Sequence, residues 1–125
     1  MEKGLTYTST TIVDNANTAS AMGSGDMDVF ATPALAALME NAAMNAVKPC
    51  LPEGSTTVGA MIQTSHVKPS AIGERISATA TLEAEEGRKL TFKITAKDTE
   101  GIVGEAVHIR YIVDRKRFME KVKQR

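Results

Sequence analysis

Glu40 is the only charged residue between Asp28 and Lys48, in a stretch otherwise made of small, apolar and amide side chains. One helical turn away lie Ala36, Ala37, Ala43 and Met44. A carboxylate held in an apolar cleft is costly to ionise, so its pKa rises and it can serve as a base or a nucleophile. On a narrow exposed strip with Asn41, Asn45 and Lys48 it is an ordinary surface charge. Thr32 has a hydroxyl that is sufficient as a helix cap without any chemistry. His66 stands at the end of a strand-like run, where an ordinary strand histidine before a turn is also common. His108 and Arg110 share a strand face by their two-residue spacing, which suits a structural pair or the lining of a cofactor channel. Ser65 cannot easily share the direction of its neighbour His66, because adjacent strand side chains point to opposite faces.

These residues need elements to hold them. Residues 31–48 read as the central helix, with Thr32 as cap and Pro33 at the first helical position. Leu35, Leu38, Met39, Ala42, Ala43, Ala46 and Val47 recur at three- and four-residue spacing. Residues 4–13 are rich in β-branched side chains and read as a first strand. Residues 14–30 lack periodicity and read as a loop or lid. After the turn at 49–55, residues 56–67 read as a second strand. Residues 75–83 alternate apolar Ile76, Ala78, Ala80 and Leu82 with polar neighbours, and Leu90, Phe92, Ile94 and Ala96 do the same in the next run. Residues 102–113 form a last strand, apolar on both faces and therefore central or covered on both sides. Turns at 85–88 and 98–101 make the last three strands an antiparallel meander. Asp114 caps a short basic amphipathic segment over 115–123. One apolar helix against one antiparallel sheet is an α+β layout in which the sheet must curl around the helix.

Composition narrows the function classes. The 125 residues suit a single domain spanning 1–125, and Lys+Arg 15 against Asp+Glu 15 leaves no basic surplus for nucleic acid. The single cysteine, Cys50, excludes an internal disulfide framework. Cys50, His66 and His108 show no metal-ligand spacing, so neither a metal nor another cofactor is expected. No apolar run spans a bilayer, which points to a cytoplasmic protein without a membrane partner.

Thr32 and Glu40 are eight residues apart, roughly 12 Å along one helix. They cannot touch within that helix. Substrate and water must bridge them, or a second subunit must bring its own copy across.

Taken together, Gly23-Ser-Gly-Asp, Val29-Phe-Ala-Thr-Pro-Ala-Leu, Ala37-Leu-Met-Glu-Asn-Ala-Ala, Val58-Gly-Ala, Ser65-His-Val and His108-Ile-Arg-Tyr resemble the hotdog-fold thioesterases of the fluoroacetyl-CoA thioesterase branch. The resemblance covers nearly the whole chain. It implies a hotdog fold of about five strands wrapped around one long helix, and hydrolysis of an acyl thioester, short-chain in this reading, to free acid and CoA. It places the catalytic threonine, glutamate and histidine on Thr32, Glu40 and His66. It places on Gly59 the backbone N–H that meets the thioester carbonyl; by itself this glycine is equally a bulge. It implies an acyl-CoA or acyl-carrier substrate and a homodimer or dimer of dimers with sites at the interface. Selection for a fluorinated acyl group is not implied by these motifs. Two other functions compete: a hotdog hydratase or dehydratase on 3-hydroxyacyl thioesters, and a non-catalytic acyl-thioester-binding dimer. The helix has no histidine, which argues against the first. The joint presence of Thr32, Glu40 and His66 argues against the second.

Overall fold

The computed structural model describes residues 1–125. Strands β1 (Thr6–Ile12), β2 (Ser55–His66), β3 (Arg75–Glu86), β4 (Lys89–Lys97) and β5 (Ile102–Asp114) form one antiparallel sheet in the order β1-β3-β4-β5-β2. Three α-helices accompany it, α1 (Ala19–Met22), α2 (Thr32–Val47) and α3 (Arg115–Lys123), with a short 3-10 turn over Lys48–Cys50 after α2. The curled sheet wrapped around one long helix is the hotdog architecture expected from the sequence.

The alternating runs set the register. Ile76, Ala78, Ala80 and Leu82 of β3 and Leu90, Phe92, Ile94 and Ala96 of β4 are all fully buried. They pack against Leu35, Met39, Ala42, Ala43, Ala46 and Val47 of α2. Alanine on both sides of this interface lets the helix lie close to the sheet, and each large buried side chain contributes about 1.5–3 kcal/mol relative to exposure.

Two details differ from the sequence reading, and two add to it. Thr32 is the first residue of α2 rather than its cap; Ala31 takes the cap position and offers no side-chain hydrogen bond. The segment before α2 is not bare loop. It contains α1, whose first turn is capped by Thr18, and its far end is tied down by bridges from Phe30 to Thr18 and from Val29 to Ala71. The strand β5 is central, between β4 and β2, but its outward residues Ile102, Val107 and Tyr111 are exposed rather than covered. Finally, β2 pairs only with β5, so it ends the sheet as an edge strand. No helix is long and apolar enough to cross a membrane.

Candidate active site

The candidate residues fall into two groups along α2. At its start, Thr32 Oγ1 lies 2.8 Å from His66 Nδ1. The last residue of β2 reaches this point because His66 pairs with Gly104 at the inner end of β5. A Cβ on Gly104 would run into the backbone oxygen of Ser65, so only glycine lets the two strands approach there. The other ring nitrogen, His66 Nε2, is buried and meets no acceptor with hydrogen-bond geometry in the chain; the Lys68 backbone is near the ring without closing such a bond. The Phe30 ring stands edge-on to the imidazole, with centroids 6.4 Å apart. Burial lowers the His66 pKa, and the Lys68 backbone beside it offsets part of that shift. The ring is therefore neutral at neutral pH. In the tautomer where Thr32 donates to Nδ1, the proton sits on Nε2; in the other, Nδ1 donates to Thr32 Oγ1. A cavity of about 230 Å³ opens here, bordered by Phe30, Thr32, His66 and Val67.

The second group surrounds Glu40, two turns further along α2. Its carboxylate faces Arg110, with Nη1 to Oε2 at 4.0 Å, and its side chain is 41% exposed. A Cβ on Gly59 would lie 2.9 Å from Glu40 Oε2, 3.3 Å from Arg110 Nη1 and 3.4 Å from His108 Cε1. Gly59 thus forms the floor beneath the carboxylate, just before an irregularity in the β2–β5 pairing. The expectation of an apolar cleft is corrected in this respect. The helix neighbours of Glu40 are apolar, but in space it meets a guanidinium, a glycine backbone and an imidazole.

The hydrogen bonds fix the orientation of that guanidinium. His108 Nδ1 donates to the Met61 carbonyl oxygen at 2.7 Å, leaving Nε2 to accept from Arg110 Nη1 at 3.2 Å. Arg110 Nε donates to Thr57 Oγ1 at 2.8 Å, and Nη2 donates to the Thr57 carbonyl at 3.0 Å. Both His108 and Arg110 are buried. Burial, with the Arg110 charge beside it, lowers the His108 pKa, while Met61 and Glu40 oppose the shift. His108 and Arg110 therefore hold the ground behind Glu40 rather than line an open cofactor channel. Thr57 was not singled out from the sequence. Its signal was its place two residues before Gly59, on the same strand face.

Within one chain the hydroxyl–imidazole pair and the carboxylate share no hydrogen bond. Thr32 bonds His66, not Glu40. No group of three or more His, Cys, Asp or Glu side chains is placed to hold a metal ion.

The comparisons with known proteins agree on one family. The model of the fluoroacetyl-CoA-specific thioesterase family matches residues 13–116. The fluoroacetyl-CoA thioesterase of Streptantibioticus cattleyicolor is 33% identical over 98 residues, covering 78% of this chain and 70% of that protein. A solved fluoroacetyl-CoA thioesterase structure superposes with a TM-score of 0.93 at 28% identity, covering 100% of this chain and 97% of the other. A mutant of such an enzyme in complex with fluoroacetate and CoA gives 0.88 at 27% identity, over 94% and 99% of the two chains. A thioesterase superfamily member from Thermus thermophilus shares the fold, with a TM-score of 0.91 at 22% identity over 98% and 91%.

Proposed function

This chain belongs to the fluoroacetyl-CoA-specific thioesterase family of thioester hydrolases, and we propose that it hydrolyses a short-chain acyl-CoA at a site built from Thr32, Glu40, His66 and Gly59. The observation that carries this reading is the pairing of Thr32 Oγ1 with His66 Nδ1, which leaves a buried, unpartnered Nε2 beside a small cavity. A buried donor without a partner costs about 1–3 kcal/mol. A substrate atom that accepts from it recovers that cost on binding.

In this reading, Thr32 holds His66 in the tautomer with its proton on Nε2. That N–H donates a hydrogen bond to the departing sulfur and stabilises it as a thiolate, which takes its proton from solvent after it leaves. Glu40, opposite Arg110, takes a proton from the attacking water. The N–H of Gly59 stabilises the oxyanion, and the missing side chain lets the carbonyl come close. Arg110 is held by Thr57 and His108, so its charge is already oriented when negative charge builds on the carbonyl oxygen over Gly59.

The two groups are brought together by a second copy of the chain. As an edge strand, β2 has an unpaired row of backbone groups beside exposed Met61. Antiparallel pairing of two such edges carries the His66 end of one strand toward the Gly59 end of the other. A C2 dimer then completes two equivalent sites. Thiol release from a panel of acyl-CoAs, by wild type and by the Glu40→Gln variant, tests the assignment. Turnover is expected only from the wild type.

A further inference from the structure

The charges of this chain are not evenly spread. Residues 115–125 hold six basic side chains and one acidic one, a local charge of +5 in a chain whose formal net charge is +0. Every residue of this stretch is exposed. Asp114 is occupied in capping α3, where its carboxylate accepts from the Arg117 N–H at 2.9 Å. The acidic side chain within the stretch is Glu120. Arg115, Lys116 and Lys123 border a groove of about 490 Å³, with Met119 and Glu120 also on its wall.

The groove has a fixed relation to the reacting groups. Asp114, immediately before α3, pairs with Ser55, and Arg110 pairs with Gly59 on the same two strands. Four residues of β-ladder therefore separate the helix start from the Glu40–Gly59 floor, about 13 Å at 3.3 Å per residue. A CoA thioester has a similar layout, with its reactive carbonyl at one end of a long arm and its phosphates at the other. Arg and Lys are the side chains that recognise phosphate, by directed hydrogen bonds and by charge.

We propose that the basic face of α3, through Arg115, Lys116 and Lys123, binds the phosphates of the CoA moiety, so that this helix selects CoA as the thioester carrier. The inference rests on the acyl-CoA reading above and adds the residues that recognise the non-reacting end. None of the three touches the reacting groups. Their effect is confined to capture of the substrate, which appears in KM and not in kcat. Because the side chains are exposed, their grip weakens as salt is added.

The test compares wild type with an Arg115→Gln/Lys116→Gln/Lys123→Gln variant, which keeps good helix formers on an exposed surface. Each is assayed with the acyl-CoA turned over fastest and with the same acyl group on pantetheine, which lacks the nucleotide phosphates. The variant is expected to raise KM for the CoA thioester about tenfold, with kcat unchanged and the pantetheine kinetics unaltered. Equal KM values for the CoA thioester, or equal changes with both substrates, overturn the proposal. An effect confined to the acyl group on a phosphopantetheinyl carrier protein also overturns it, in favour of protein docking. If wild type hydrolyses neither thioester, the enzymatic reading fails, and calorimetry with CoA itself decides the helix. Tenfold weaker binding by the variant supports it, and equal binding refutes it.

Discussion

Replacing Gly59 by alanine should separate catalysis from folding. The added Cβ would lie 2.9 Å from Glu40 Oε2, whereas ordinary contact begins at 3.4 Å, so the carboxylate must retreat by about half an ångström. Arg110 Nη1 at 3.3 Å and His108 Cε1 at 3.4 Å need hardly move. The group that yields is the tip of a 41%-exposed side chain, which has room to swing. Gly59 is not among the glycines with positive φ, so alanine fits the backbone. The smaller entropy of the unfolded chain even favours it by about 0.4–1 kcal/mol. Stability should therefore hardly change. Catalysis should suffer, because a displacement of about 1 Å at a reacting group costs on the order of 100-fold, and half of that about tenfold, or 1.4 kcal/mol of barrier. Steady-state kinetics with thermal unfolding in parallel is the assay. A folded Gly59→Ala protein with kcat within about twofold of wild type would refute the placement of Glu40 at the reacting carbonyl. The contrast is Gly104→Ala. Its Cβ meets the Ser65 backbone oxygen, which cannot step aside, so this variant should lose stability by about 1–3 kcal/mol of overpacking.

Three further outcomes follow from the same geometry. Burial lowers the His66 pKa, so the acid limb of kcat attributable to this ring should lie below its ordinary value of 6.5; in His66→Ala the rate should be low and the profile simpler, and an active variant with an unchanged profile would make His66 structural. Mixing Glu40→Gln with His66→Ala subunits should restore about a quarter of wild-type activity if each site draws on two chains, since half the dimers are mixed and one of their two sites is intact; no recovery on mixing would place each site within one chain. The hydrogen bond from Lys68 holds the Asp98 pKa below 3.8, so this pair adds stability above that value and loses it as pH falls through the lower folded-state pKa; the thermal stabilities of wild type and Asp98→Asn should differ at neutral pH and converge under acid.

Local pattern made much of the fold readable. The alternation in β3 and β4, the three- and four-residue spacing in α2 and the turn chemistry at Asp98 each follow from short-range rules that the packing obeys. The exceptions depend on long-range pairing. Thr32 reads as a cap from its neighbours, but its hydroxyl is engaged by a histidine 34 residues away. Glu40 reads as a carboxylate among alanines, yet its surroundings come from β2 and β5. Thr57 gains its role by meeting Arg110 across 53 residues. The helix α1 has four residues, too few to leave a periodic signal. The residue types of the candidate site and the separation of Thr32 from Glu40 along α2 were thus legible, while the partners each group finds on β2 and β5 were not.

Glu40 is proposed as the chemical centre of a thioester-hydrolysing site. The most direct test is thiol release from acyl-CoAs by wild type and by Glu40→Gln, with circular dichroism showing both folded. Turnover of a short-chain acyl-CoA by the wild type and a loss of at least about 100-fold in kcat in the variant are expected. Wild-type kcat in a folded Glu40→Gln protein would contradict the proposal.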